Sequence, residues 1–433
     1  MKLFAVTGNP ILHSKSPLLF QSAYPQSENE FCYFRLHAET AKEALQTFTE
    51  LGLSGMNVTA PFKSDILPFA TTHTPTAKTL NACNTLLLTK NGIIAENTDV
   101  NGVLGALSGA GIPIKNTQCL VLGAGGAGVA AAFALHNAGA QVVLANRTTH
   151  KAQAIAEHIG CAHCALDGLL QALQRATVIV NTIHPDVIDP KLLTAQHTVL
   201  DAIYPHPSLQ KMAESKCSTY IDGMQWLLYQ GFAAYHLFTK KEPNMAAMQN
   251  FAAQPVAAMP RHISLIGFMG VGKTTVGQVL AQKMKMPFVD TDAVIEQDCN
   301  DTIPHIIAQK GEAEFRKIEQ EVVSKILEQS TPSVISCGGG VVTTPALGNL
   351  LHQKSIAVWL YAPLEQCLQN IADIASRPLL MQSDDPQTTA QKLFEQRKQM
   401  YAQTSWMLVN TKEKTTQQIV QIVYDEIDKL FAH

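Results

Sequence analysis

At 433 residues, 46% of them hydrophobic and 15% charged, the chain is too long for one compact core and has the composition of a globular protein of two or three domains. Its formal charge of −3 gives no reason to expect nucleic acid or an anionic membrane surface as partner, and no apolar run reaches the roughly 20 residues that span a bilayer. The opening MKLFAVTGNP has one lysine and an apolar run that Gly8, Asn9 and Pro10 end, too brief for a signal-peptide core, so the nine cysteines are expected as reduced thiols of a cytoplasmic protein.

Short apolar runs alternate with helical patterns along the chain, which predicts α/β architecture with parallel sheets. KLFAVTG, FCYFRLHA and GMNVTAPF read as strands, with AKEALQTFTELG as a helix between the last two. TLLLTKNGIIAEN reads as a hairpin turning at Asn91-Gly92, the pair best suited to positive φ. From about 118 the pattern becomes βαβ: CLVLG, then the helix AGVAAAFALHNAG closed by Gly139, then VVLAN. In EHIGCAHC, His158, Cys161, His163 and Cys164 include a lone C-x-x-C without a second ligand pair. Small buried side chains at a helix-to-strand connection are therefore expected there. VIVNTI and VLDAIY follow as buried strands, and DGMQWLLYQGFAAYHLF as a long helix. NFAAQPVAAMPR, at 250 to 261, has two prolines and little periodicity and is the candidate linker. Beyond it HISLI begins a fresh α/β series, and TTVGQVLAQKM sets Val276, Val279, Leu280 and Met284 on one helix face.

Two glycine loops carry the chemistry. GAGGAG follows a strand and opens a helix, the setting that gives G-x-G-x-x-G meaning. Gly123 and Gly125 allow the tight turn and close approach of a pyrophosphate, Gly126 continues the loop, and Gly128 allows close helix packing, with Ala124 and Ala127 between them. The next strand ends in Asn146-Arg147-Thr148, where NAD-binding units usually carry an acid. Without a carboxylate to repel a 2′-phosphate, and with Arg147 to pair with it or stack on adenine, the cofactor is expected to be NADP(H).

The second loop, GFMGVGKTTVG, satisfies G-x-x-x-x-G-K-[ST] through Gly267, Gly272, Lys273 and Thr274, with Gly270, Val271 and Thr275 beside them. Backbone N–H groups there cradle the phosphates of ATP, Lys273 reaches the β and γ groups, and the Thr274 hydroxyl ligates Mg²⁺. FVDTD then offers Asp290 and Asp292, which share a face if the strand continues; one serves the metal and the other accepts a proton from an attacking hydroxyl. GEAEFRKIE places Arg316 and Glu319 one helical turn apart, and CGGGVV presents bare backbone at Gly338, Gly339 and Gly340.

Over residues 2 to 250 the chain resembles the shikimate dehydrogenases. GNPILHSKSP, GMNVTAPFK, ACNT, NTDVNG and DGMQWLLYQG match the family's motifs in order, with Trp226 where methionine is usual and NTIHPD where N-A-T-S is usual. The resemblance implies that Lys63 and Asp99 are the catalytic pair, and Lys63 is chemically suited to give a proton to a carbonyl oxygen. It also implies that Ser14, Ser16 and Tyr204 hold the substrate carboxylate. Asn57, Thr59, Asn84, Asp99 and Gln230 would reach the ring hydroxyls, and Gly223 would border the cofactor.

Residues 262 to 433 resemble the shikimate kinases through GFMGVGKTTVG, DTD, GEAEFRKIE, CGGG and RPLL. That resemblance implies that Asp290 belongs to the metal shell and Asp292 activates the shikimate hydroxyl. Arg316 and Arg397 would hold the carboxylate, Gly338 to Gly340 line the ring, and Arg377 close on the phosphates from a lid. Asn370 replaces an arginine the family usually has near adenine, and RKQMY replaces R-x-P-L-Y.

Together these imply a substrate domain over 1–102, completed by a helix at about 230–250, an NADP-binding Rossmann domain over 103–229, a linker over 251–261 and a P-loop kinase domain with a parallel sheet over 262–433. The expected activity is reduction of 3-dehydroshikimate to shikimate followed by its phosphorylation, by a monomer without nucleic-acid or membrane partners. A quinate- or shikimate-directed dehydrogenase joined to a nucleotide-binding module without turnover stays open as the alternative.

Overall fold

The computed structural model of the chain describes residues 1–23, 30–183, 188–203, 209–252, 260–371 and 385–432. The chain divides into two compact units. One gathers Met1–Pro17, Asn29–Leu53 and Pro255–Ala432; the other gathers Leu18–Glu28 and Ser54–Gln254. None of the described helices is long and apolar enough to cross a membrane.

The first unit starts with β1 (Lys2–Gly8) and β2 (Phe31–His37), which pair in parallel from Lys2↔Phe31 to Gly8↔His37. Both are buried along almost their whole length, as parallel strands covered on both faces must be. Helix α1 (Ala41–Glu50) follows; the Thr40 side chain caps it by accepting from the Glu43 N–H, and Ala44 and Phe48 fall on its buried face.

In the second unit β3 (Gly55–Val58), β4 (Thr72–His73), β5 (Thr85–Thr89) and β6 (Gly92–Glu96) are hydrogen-bonded in the order β3-β5-β6-β4. β3 is shorter than the apolar run GMNVTAPF suggests, because Pro61 has no N–H for a ladder and the chain turns after Val58. The β5–β6 hairpin forms as expected, with one difference: Gly92, at φ +107°, takes the positive angle, and Asn91 does not. Thr89 pairs with Gly92, so Lys90 and Asn91 make the turn and the glycine opens the returning strand.

Helix α2 (Asp99–Gly109) leads into the nucleotide fold, made of β7 (Gln118–Leu122), α3 (Gly126–Asn137), β8 (Gln141–Ala145), β9 (Ala162–Cys164), β10 (Val178–Asn181), β11 (Thr198–Asp201) and β12 (Thr219–Ile221). Its six strands run β9-β8-β7-β10-β11-β12, all parallel. This is the doubly wound order whose switch point falls between β7 and β10. The expectation at EHIGCAHC is met only in part. Cys161 and Cys164 are half-buried, but Ala162 and His163 are exposed, since β9 is an edge strand. Helix α4 (Gly223–Thr239) lies along α2, where Gly102, Gly105 and Gly109 leave room for the rings of Trp226 and Tyr229.

The chain then returns to the first unit with β13 (His262–Ile266), α5 (Lys273–Met284), β14 (Phe288–Asp290), α6 (Thr291–Cys299), α7 (Glu312–Leu327), β15 (Val334–Ser336), β16 (Ser355–Tyr361), α8 (Pro386–Thr404), β17 (Met407–Asn410) and α9 (Thr416–Ala432). The parallel order is β14-β15-β13-β16-β17-β2-β1, so the two N-terminal strands continue the C-terminal sheet through Leu408↔Leu36 and Val409↔His37. Side chains close the seam. The Phe34 ring lies 5.8 Å from that of Trp359, which stacks 5.6 Å from Tyr401, and all three are buried. Such aromatic pairs add about 0.5–1.5 kcal/mol beyond their burial.

Candidate active sites

In the second unit Lys63 Nζ donates to Asp99 Oδ2 at 2.5 Å, and Asp99 is only 3% exposed. Asp99 opens α2, where the helix N-terminus favours a carboxylate, and its own N–H donates to Asn97 Oδ1 at 3.0 Å. Asn84 ties the neighbourhood together. Its Oδ1 accepts from the Thr98 N–H at 2.7 Å and from the Thr85 hydroxyl at 3.0 Å, while its Nδ2 donates to Gln230 Oε1 at 3.4 Å. Asn57 Nδ2 in turn donates to Asn84 O at 3.1 Å and Thr85 Oγ1 at 2.9 Å. Asn57, Lys63, Asn84, Asp99 and Gln230 therefore form one polar group of side chains. Thr59 lies at the turn after β3, where its carbonyl accepts from the Phe62 N–H. Burial pushes the nearby Cys83 thiol up to about 12 against the opposing Lys63 charge, so the lysine does not face a thiolate.

The glycine loop adjoins this group. A Cβ at Gly126 would lie 3.4 Å from Lys63 Cδ, which sets the lysine beside the start of α3. At Gly128 a side chain would strike the Gly123 carbonyl, and at Gly123, φ +104°, it would meet Thr182 Oγ1 and Ile183. Gly125 faces open space, the room a pyrophosphate needs above a helix N-terminus. Asn146 Oδ1 accepts from the Ala124 N–H at 3.3 Å and its amide donates to Thr148 O at 3.2 Å, which braces the loop against the end of β8. Ala127 is half-buried behind the loop, and Arg147 is exposed. A side chain at Gly223 would crowd the carbonyl oxygens of Asp201 and Ala202. Asn181 donates to the fully buried Asp201 at 3.0 Å, and burial raises the Asp201 carboxyl despite this bond and one from Ile203 N–H. Of NTIHPD, His184, Pro185 and Asp186 lie outside the described residues, as does Tyr204. Ser14 and Ser16 belong to the first unit, where Ser14 is buried and its Oγ accepts from the Ser16 N–H at 3.4 Å.

The second glycine loop joins β13 to α5. Gly267, Gly270 and Gly272 take φ of +145°, +75° and +92°, angles a Cβ would strain, and Gly272 is the N-cap of α5. Lys273 Nζ donates to Gly267 O at 3.0 Å and Phe268 O at 3.1 Å, so it spans the loop it belongs to. Thr274 Oγ1 donates to Asp290 Oδ2 at 2.8 Å and lies 3.2 Å from Ser336 Oγ. Val271 is buried beneath the loop and Thr275 is exposed beyond it.

The expectation that Asp290 and Asp292 share a strand face is corrected here. β14 ends at Asp290, which caps α6 by accepting from the N–H groups of Asp292 and Ala293, and Asp292 lies in that helix's first turn. The two carboxylates are thereby divided: Asp290 faces Thr274, and Asp292 faces the triple glycine. A Cβ at Gly338 would lie 2.7 Å from Asp292 Oδ1 and 2.9 Å from Glu319 Oε1. Arg316 donates to Glu319 at 2.7 Å and Glu312 at 3.0 Å, and a side chain at Gly340 would strike its guanidinium. Burial holds the Glu319 carboxyl above its usual range despite Arg316, with Asp292 adding to the rise. Arg397 and Tyr401, on α8, both donate to Gly339 O, at 3.4 and 2.5 Å. Arg377 lies outside the described residues.

A cavity of about 470 Å³ runs from this loop past Asp290 and Asp292 to Asn370 and Lys414. Asn370 Nδ2 donates to Gly270 O at 3.0 Å, so the residue that replaces the family's arginine braces the phosphate loop. Lys414 escaped sequence reasoning because its loop, NTKEKT, carries no motif. It donates to Glu43 at 2.5 Å and lies 3.7 Å from Glu39.

Three family models match the chain: Shikimate dehydrogenase substrate binding domain over residues 6–86, Shikimate / quinate 5-dehydrogenase over 107–196, and Shikimate kinase over 269–428. A shikimate dehydrogenase (NADP(+)) of Methanococcoides burtonii is 35% identical over 261 residues, 57% of this chain and 96% of its own. A shikimate kinase of Ruegeria pomeroyi is 36% identical over 167 residues, 39% of this chain and 85% of its own. Among solved structures, the shikimate 5-dehydrogenase of Thermus thermophilus in complex with NADP(H) and shikimate superposes with a TM-score of 0.54 at 31% identity, covering 58% of this chain and 98% of that one. The Aquifex aeolicus shikimate dehydrogenase gives 0.56 at 30% identity, over 59% and 98%. The chain thus belongs to two families, that of the shikimate dehydrogenases in its N-terminal part and that of the shikimate kinases in its C-terminal part.

Proposed function

We propose that this chain reduces 3-dehydroshikimate to shikimate with NADPH and phosphorylates the resulting hydroxyl with Mg-ATP. The observation that carries the reading is the presence, in one chain, of two lysine-and-carboxylate sites beside two phosphate-type glycine loops. The first reaction is assigned to residues 1–102 with the helix at about 230–250, and NADP binding to 103–229. Residues 251–261 act as the linker, and 262–433 carry the kinase.

In the reduction, bound NADPH supplies the hydride. The exposed Arg147 and the open face of Gly125 suit a 2′-phosphate and a pyrophosphate, with Asn146, Thr148 and Gly223 bordering the same cofactor. Lys63, oriented by Asp99, gives the proton to the carbonyl oxygen. Asn57, Thr59, Asn84 and Gln230 fix the ring hydroxyls, and Ser14, Ser16 and Tyr204 take the carboxylate.

In the phosphorylation, the hard oxygens of Thr274 and Asp290 suit Mg²⁺, which supplies charge neutralisation across the phosphates. Lys273 and the backbone from Gly267 to Thr275 bind the phosphates, and Arg377 is assigned to the transferring group. Asp292 takes the proton from the attacking hydroxyl while Arg316 and Arg397 hold the carboxylate beside Gly338, Gly339 and Gly340. Shared use of one small acid is why both loops occur together. The protein acts as a cytoplasmic monomer without nucleic-acid or membrane partners.

The test is direct. Pure protein given 3-dehydroshikimate, NADPH and Mg-ATP should yield shikimate 3-phosphate. Lys63→Ala should abolish only the reduction and Lys273→Ala only the phosphorylation. Formation of shikimate but no ester, with ATP bound, would instead favour a dehydrogenase joined to a module without turnover.

A further inference from the structure

The loop after β1 is anchored by a carboxylate from the far end of the chain. Glu426, on α9, is 2% exposed. Its Oε1 accepts from the Ile11 N–H at 2.9 Å, its Oε2 accepts from the Leu12 N–H at 2.8 Å, and Oε1 lies 2.7 Å from His37 Nδ1 at the end of β2. Ile11 and Leu12 are themselves buried, so these N–H groups have no water to turn to and need acceptors inside the protein. Bonds to an ionised acceptor are the stronger kind, and a buried carboxylate with three donors is held in one orientation. Burial alone would push the Glu426 carboxyl up; the His37 ring and the two backbone N–H groups outweigh it and leave it below its usual range.

A second tie lies three residues on. Arg35 Nε donates to Ser14 O at 2.9 Å, and its Nη1 donates to Trp406 O at 3.1 Å, next to β17. Ser14 N–H donates back to Ile11 O at 3.0 Å, which closes the turn. Residues 11 to 14 are thus fixed at one end by Glu426 of the C-terminal segment and at the other by Arg35 of β2, itself bonded to Trp406 O, and they lead directly into Ser16.

We propose that Glu426 is a positioning residue for the reduction: α9 of the kinase segment sets the shape of the loop that carries Ser14 and Ser16, and through it the affinity for the small acid. This rests on the reading of those serines as carboxylate contacts. A carboxylate that served only the stability of the unit would matter equally to both reactions; one that shapes the loop matters to one substrate of one reaction.

The experiment compares full-length Glu426→Gln and Ser14→Ala with the parent chain in shikimate oxidation with NADP⁺ and in shikimate phosphorylation. The isosteric amide sets an N–H₂ against the loop N–H groups, so KM for shikimate in the oxidation should rise about tenfold with a smaller change in kcat. KM for NADP⁺ and both kinase constants should stay within about twofold. Ser14→Ala should raise the same KM; if it does not, the reading of the serines fails, whatever Glu426 does. If Ser14→Ala raises it and Glu426→Gln does not, the positioning role is wrong. A loss shared by both activities is also against it, since that is the signature of a structural staple. Should Glu426→Gln not fold, His37→Leu decides in its place. It removes one donor and keeps the other two, so a selective rise of a few-fold in the same KM supports the proposal and an unchanged KM overturns it.

Discussion

Asp99 combines three features rarely joined in a structural aspartate: near-complete burial, a helix N-terminus and a lysine at 2.5 Å. A buried carboxylate is tolerated when paired, and the pairing fixes the lysine as firmly as it fixes the acid. Asp99→Asn keeps the shape and removes the charge, so Lys63 loses its orienting partner. We expect kcat for shikimate oxidation to fall by about a hundredfold, the scale of a positioned acid–base group, with unchanged NADP⁺ affinity by fluorescence titration. An unchanged kcat would show that the ion pair only supports the fold. The phosphate-loop residues were readable from a motif whose spacing has a chemical reason, and Lys63 and Asp99 were singled out through the resemblance to the shikimate dehydrogenases. Glu426 and Lys414 were not, because nothing local marks a helix carboxylate or a loop lysine whose partners lie hundreds of residues away.

At the scale of elements, periodicity located strands and helices well and misjudged what happens at their ends. FVDTD could continue as a strand on alternation alone; a carboxylate that can cap a helix ended it at Asp290 and turned Asp292 the other way. The hairpin at 85–96 formed, but only its glycine needed the left-handed angle. The α2–α4 contact was invisible to pattern, since NGVLGALSG reads as a poor helix with three glycines. Those glycines exist for packing. A Cβ at Gly105 would run into the Tyr229 ring, and one at Gly102 into Trp226, the residue that replaces the usual methionine. Two effects compete in Gly105→Ala: a helix gain of up to about 1 kcal/mol and an overpacking cost of about 1–3 kcal/mol. The cost should win, lowering the urea midpoint of unfolding. In a Tyr229→Ala background the fall should be smaller, because the ring carbons at 2.4 Å are gone and only the Cβ at 2.7 Å remains. Equal effects in both backgrounds would dispose of the packing account.

At the scale of the whole chain, the turn to a new α/β series after residue 261 was legible, but strand partnership was not. Alternation states that a strand is buried on two faces; it does not name the strand beside it. β2 gives its edge to β17, and with α1 it also receives Asn410, Lys412 and Lys414 through Thr47, Glu50 and Glu43. Of these polar links the Lys412–Glu50 pair is partly exposed and worth little singly. The aromatic contact of Phe34 with Trp359 and the buried Glu426 are of another order, because breaking either leaves a void or unpaired donors inside the unit. It follows that residues 1–17 and 29–53 fold with the C-terminal segment as one cooperative body although some 200 residues separate them in sequence. If so, co-expressed fragments 1–252 and 260–433 should elute together on size exclusion, while fragment 1–252 alone, with the β2 edge and Phe34 uncovered, should aggregate or melt well below the intact protein. A fragment 1–252 that stays monomeric, melts with the intact chain and ignores its counterpart would mean that the seam adds nothing to stability, and that the parallel pairing of β2 with β17 is incidental to how this enzyme folds.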